Sequence, residues 1–251
     1  MDTERNTESV STGGGLFAMR NILFLLAIIA VAALLYPPLR QISARPGASN
    51  FDYMLVIPFV SAFFLYRNRE PILADANYNV RSGLPMIIIG LLIYVCFAAF
   101  MSTLIVLDTI LGFSALLAFT GAYISLYGVR SFRHAKFPLL FLAFLIPPPQ
   151  SFIDSFIYVL QVSSTETTDF LFNLISMPYY REGFLFHLPN ITIEVAKECS
   201  GIRSSLAMIV TGVLAAHLFL DKSWKQILLI LSIFPITVLK NGIRIMTLSL
   251  L

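Results

Sequence analysis

Two short stretches of this chain carry residues whose types and spacing suit covalent chemistry. The first is Glu198-Cys199-Ser200-Gly201-Ile202-Arg203-Ser204 and the second is Asn241-Gly242-Ile243-Arg244-Ile245. The first sets a thiol four residues before a guanidinium, at the mouth of an apolar stretch, Leu206 to Leu220, that reads as a helix. Helix N-termini and nearby cations both lower a cysteine's pKa, and the thiolate is the nucleophile. Glu194 and Glu198 oppose a thiolate unless they are solvated or paired with Lys197, Arg203 or Arg244. In the second stretch Asn241 and Arg244 are three residues apart and share a helix face. An arginine inside an apolar span is costly and is a functional candidate by default. The bland readings are an inert buried cysteine for Cys199 and, for Arg203 and Arg244, cations that snorkel to the membrane interface.

Both stretches need a scaffold, and composition says which kind. Of the 251 residues 57% are hydrophobic and 12% charged, and the mean hydropathy is +0.82. That is the composition of a polytopic membrane protein. The net charge of +3 is ordinary for one with basic loops and gives no argument for nucleic acid. Two cysteines make no disulfide framework, and Cys96 reads as a small apolar side chain. No metal-ligand spacing of Cys or His is present, nor Cys-x-x-Cys, His-Glu-x-x-His or Gly-x-Ser-x-Gly.

The expected fold is an all-α polytopic membrane protein of about seven spans, near 18–36, 51–66, 84–104, 106–127, 135–148, 202–220 and 224–246. Residues 1–15 read as a disordered tail and 16–251 as a single membrane domain. The first span mimics a signal peptide, but Leu34 and Leu35 continue its apolar run, which favours an uncleaved helix. With the N-terminus in the cytoplasm, the inside holds Arg5, Arg20, Arg67, Arg69, Arg81, Arg130, Arg133, Lys136, Lys222 and Lys225. This is the denser basic bias, although Arg40 and Arg45 fall outside. The orientation leaves 149–201 as an extracytoplasmic insert leading to the cysteine. Phe152, Ile153, Phe156, Ile157 and Leu160 recur at helical spacing and predict an interfacial helix, interrupted at Ser163-Ser164-Thr165-Glu166 and resumed from Asp169 to Ile175. Phe184, Phe186 and Leu188, then Ile191, Ile193 and Val195, alternate about Pro189-Asn190 and predict a β-hairpin. Arg244 lies 20 residues beyond Trp224, about 30 Å along a helix, which returns it to the outer face level with Cys199.

The paired motifs resemble those of the exosortase/archaeosortase family, most strongly from about Asp169 to Leu251. The resemblance implies a protease or transpeptidase in the cell (inner) membrane with its site facing outward. It would act without metal or cofactor. Its partners would be exported proteins carrying a C-terminal sorting signal, made of a short motif, a transmembrane helix and a basic tail, with membrane lipid around it. By the same resemblance Cys199 is the nucleophile and Arg244 stabilises the oxyanion, with Arg203, Asn241 and Ser200 binding substrate or supporting them. The family pattern has a third residue, usually histidine, on a further span after the arginine. The chain ends at Leu251, so the acid/base is expected to be missing and activity impaired. His134 is expected in a cytoplasmic loop and His217 on the wrong side of the membrane, while His187 reaches the site only if the hairpin folds back. The competing readings are a catalytically incomplete fragment and a small transporter or membrane subunit. A transporter wants polar residues along a midmembrane path, and few are present.

Overall fold

The structure is a computed structural model, and it describes residues 3–43, 53–100, 106–189, 191–196 and 202–249. The chain divides into two compact units at Pro147-Pro148-Pro149, where consecutive prolines offer no amide donors to continue a helix. Both units lie within the range 16–251 expected as the membrane domain, apart from the first residues of α1.

The first unit holds α1 (Thr3–Ser43), α2 (Val56–Arg67), α3 (Arg69–Ala74), α4 (Val80–Phe100) and α5 (Leu107–Phe141), the last followed by a 3₁₀ turn (Leu142–Leu145). α1 takes in residues 3–15, which were expected as a tail. Propagating a helix gains one hydrogen bond for each residue fixed, so an apolar span already formed can carry a polar flank.

α5 is folded on itself. Gly128 interrupts it with φ 84° and ψ 167°. The Thr109 hydroxyl donates to the Pro147 carbonyl at 2.7 Å, although a straight helix would hold them about 57 Å apart. Near the fold Tyr123 and Ser131 share a hydrogen bond at 3.0 Å. The carbonyls of Tyr127 and Ser125 accept the amides of Asn77 and Asn79, at 3.1 and 3.0 Å. Segments 106–127 and 135–148, expected as two separate spans, thus fall on the two arms of this doubled-back element. Its arms enclose Phe119, Tyr123, Tyr127, Ala135 and Leu139 with Ile72 of α3, and Phe24 of α1 sits edge-on to Tyr123 and Tyr127. The end marked by Gly128 gathers basic residues from two loops. His134 bonds Asp75 at 3.0 Å and the Asn68 amide reaches the His134 carbonyl at 3.3 Å, which brings Arg67 and Arg69 near Arg130 and Arg133.

The second unit holds α6 (Gln150–Leu174), β1 (Tyr180–Glu182), β2 (Leu185–His187), β3 (Thr192–Glu194), α7 (Ile202–Phe219) and α8 (Ser223–Ser249). α6 is continuous, so the expected break at Ser163–Glu166 is absent. The hydroxyls of Thr165, Thr167 and Thr168 donate to the carbonyls of Gln161, Ser163 and Ser164, four residues back, each at 2.8 Å. Serine and threonine satisfied in this way stay within a helix. β2 pairs antiparallel with β1 and with β3, with Phe186 opposite both Arg181 and Ile193. Phe186 is fully buried on Phe172 of α6, at 5.3 Å between ring centroids. Leu188, Val195 and Ile245 of α8 complete that core.

Four helical stretches among the described residues are long and apolar enough to cross a membrane: Met19–Pro37, Val80–Ala99, Leu107–Leu145 and Ser223–Ser249. Tyr53–Arg67 and Ser204–Phe219 are apolar but shorter. This is a multi-pass, all-α membrane architecture with one small sheet.

The fold at Gly128 depends on a positive φ, and a Cβ there would lie 2.6 Å from the Asn77 carbonyl oxygen. Gly128→Ala is expected to cost about 1–3 kcal/mol, read as a lower thermal midpoint of the purified protein in detergent.

Candidate functional site

Of the residues singled out by chemistry, Cys199 and Ser200 lie outside the described residues. Arg203 is described only as the second residue of α7. α7 and α8 form an antiparallel pair, because Asp221 and Lys222 allow only a short reversal between them. Gly212 lies against Ile233, Met208 accepts a hydrogen bond from Thr237 at 3.8 Å, and the Lys240 ammonium donates to the Ser204 hydroxyl at 3.1 Å. Ile233, Thr237 and Lys240 form one stripe of α8, and at helical spacing Arg244 is the next residue on it. Arg244 is exposed, and among the described residues no ion pair or hydrogen bond holds its guanidinium.

The adjacent face of α8 meets α6, which runs parallel to it. Val238 packs with Leu160 of α6 and with Ile202, the first residue of α7. Asn241, only 2% exposed, donates from Nδ2 to the Ser164 hydroxyl at 2.9 Å. A buried amide without a partner costs roughly 1–3 kcal/mol, which is why this asparagine faces a serine on the neighbouring helix. Gly242 follows because the helices touch there: a Cβ would lie 2.7 Å from Thr167 Cγ2. One turn earlier on α6, Gln161 donates from Nε2 to the Val195 carbonyl at 2.6 Å. α6 therefore grips α8 through Ser164 and the chain after β3 through Gln161.

A second polar group was not foreseen from the sequence. Arg181 on β1 bonds Glu166 at 2.6 Å and lies 3.6 Å from Asp169, both on α6, and its Nε donates to the Gly183 carbonyl at 3.1 Å. The Tyr179 hydroxyl donates to Asp169 at 2.9 Å. The signal was there in two carboxylates three apart on a helix, but the partner arginine sits in an otherwise featureless loop sequence. The Arg181 hydrogen bond holds the Glu166 carboxyl below its ordinary range, against a smaller opposing effect of burial. The same bond raises the Arg181 pKa.

Each of the three histidines has its own setting. His134 pairs with Asp75 in the first unit, His187 on β2 bonds Thr192 at 3.1 Å, and His217 is in the last turn of α7, away from its N-terminal end. Among the described residues no three His, Cys, Asp or Glu side chains converge as metal ligands.

These features define a multi-pass α-helical membrane protein whose polar side chains gather at one end of a three-helix unit. Comparison with known families is specific about which one. The chain belongs to the transmembrane exosortase family, whose model (Exosortase_EpsH) matches residues 46–251. That range takes in the second unit and the first from α2 onward, without α1, and reaches well upstream of the motifs that carry the resemblance in sequence. Members of the family are generally cysteine transpeptidases or proteases. No curated protein and no solved structure matches the chain.

Two outcomes follow. Gly242→Ala is expected to cost about 1–3 kcal/mol by forcing α6 and α8 apart, and Thr167→Ala in the same chain should recover most of it, a coupling read from the melting of the four-member cycle. The folded pKa of Glu166 is depressed, so the stability it contributes is present above its unfolded pKa, about 4.3, and is lost as pH falls through the folded value. Because Glu166 is mostly exposed, that contribution is under about 1 kcal/mol. Acidification should lower the amide protection factors across β1, taken relative to intrinsic exchange at each pH, and Arg181→Met should abolish that decline.

Proposed function

We propose that this chain is a membrane cysteine protease or transpeptidase that cleaves C-terminal sorting signals of exported proteins. The Cys199 thiolate attacks the scissile carbonyl carbon and the carbonyl electrons move onto oxygen. Arg244 donates hydrogen bonds to that oxyanion. The intermediate collapses with loss of the amine, which takes up a proton, and leaves a thioester on Cys199. An amine or water then displaces the sulfur and the thiolate is regenerated. Arg203 and Ser200 bind substrate or support the thiolate, and Asn241 fixes the turn of α8 that carries Arg244. The chain makes seven crossings of the inner membrane with its N-terminus inside, and the site faces outward.

The observation that carries this reading is the register of α7 on α8. Each turn back along α7, from Gly212 to Met208 to Ser204, is matched by a turn forward along α8, from Ile233 to Thr237 to Lys240. The next turn brings Arg244 opposite the start of α7, where the chain arrives from Cys199. A cation fixed beside a developing oxyanion in a water-poor site is worth about 3–4 kcal/mol.

The test is processing of exported reporters bearing a panel of motif–helix–basic-tail signals, co-expressed with the chain. Cys199→Ala should abolish cleavage. Arg244→Gln should slow it about 10²–10³-fold, with Arg244→Lys in between. Cleavage that is indifferent to Cys199→Ala would remove the nucleophile from this reading.

A further inference from the structure

The segment that carries the proposed nucleophile is anchored on both sides by neighbouring residues of α6. Upstream, Val195 is held twice: its amide donates to the Phe184 carbonyl at 2.9 Å, and its carbonyl accepts from Gln161 Nε2 at 2.6 Å. Downstream, Ile202 is buried against Leu160, the residue next to Gln161. One turn further, Ser164 holds Asn241 of α8 at 2.9 Å. A single turn of α6, Leu160 to Ser164, thus touches the chain before Cys199, the chain after it, and the helix of Arg244.

Gln161 is the polar member of this turn that bears on the nucleophile side. It is 5% exposed, next to the apolar contact that Leu160 makes with Ile202 and Val238. A leucine in its place would fill similar space and leave the Val195 carbonyl without this donor. Packing alone does not require an amide here, whereas fixing the Val195 carbonyl does.

We propose that Gln161 is a positioning residue for the acyl-transfer reaction: its amide fixes Val195, four residues before Cys199, on the same turn of α6 that seats the helix carrying Arg244. This rests on the Cys199–Arg244 reading above. A misplacement near 1 Å costs on the order of 10²-fold in rate, and a group that acts only by placement should change kcat rather than KM.

The test uses the full-length protein in proteoliposomes with a cleaved reporter, and compares wild type, Cys199→Ala, Gln161→Leu and Gln161→Glu. Gln161→Leu is expected to lower kcat about 10-fold or more with KM within about 3-fold. Gln161→Glu supplies the decisive readout. A carboxylate cannot donate to the Val195 carbonyl, but a protonated carboxyl can, and burial raises its pKa. The ratio of Gln161→Glu to wild-type activity should therefore climb about 5-fold or more between roughly pH 8 and pH 6. A flat ratio overturns the proposal, as does a Gln161→Leu enzyme with unchanged kcat. Should Gln161→Leu fail to fold, the pH ratio alone decides. The two readings fail differently. Cleavage that persists in Cys199→Ala removes the nucleophile and this proposal with it. An inactive Cys199→Ala beside indifferent Gln161 variants removes only the positioning role.

Discussion

In an apolar surrounding every buried donor and acceptor must find its partner within the protein, because water is not there to supply one. That constraint organises the second unit. α6 carries Gln161, Ser164, Thr165 and Thr168 on its buried face, which is unusual for a helix packed among leucines and phenylalanines. The threonine hydroxyls turn back onto their own helix. Gln161 and Ser164 instead reach across to other elements, and the partners they find are the chain that leads to Cys199 and the helix that bears Arg244. The polar residues of α6 thus tie the chain at Val195 and the helix at Asn241 to one element. The same rule operates in the first unit, where carbonyls freed by the fold at Gly128 accept amides from Asn77 and Asn79.

Some of this was legible in the residues. The chemistry of Cys199, Arg203, Asn241 and Arg244 stands out because charge and amide are rare in apolar runs, and the family assignment follows from their paired spacing. The all-α membrane class follows from composition. Other features were hidden because they are decided by contacts between distant positions. Ser163-Ser164-Thr165-Glu166 looks like a helix breaker by propensity, yet hydroxyls bonded four residues back make it ordinary helix. Arg181 has no local mark that links it to Glu166, 15 residues earlier. The reversal of α5 was legible as two apolar runs, 106–127 and 135–148, but no periodicity reveals that a single backbone angle at Gly128 makes the turn. Asn241 was picked out as a supporting residue without its reason, which is a serine 77 positions upstream.

The site is also built unevenly. Asn241 and Gly242 are committed to α6, one by a hydrogen bond and the other by lack of a side chain, while Arg244 a turn away is exposed. A helix pinned on one face can present a long cation on the next without losing its own position. Arginine suits that arrangement, since its planar fork reaches beyond the helix while remaining charged at any working pH. Across the sheet, Arg181 has the opposite role: it is tied to α6 and to its own strand, and its charge is spent on holding β1 in place.

The pairing of Asn241 with Ser164 also has a meaning in time. The chain is made from one end, and α6 leaves the ribosome long before the residue that satisfies Ser164 exists; 77 residues must be added first. Over that interval α6 has the sheet and the start of α7 to lie against, but not the helix that takes up Ser164 and meets Thr167. The end of the unit that collects the reactive groups is therefore the last to be assembled. Arg244 therefore reaches its place beside the start of α7 only when nearly all of the chain has been made.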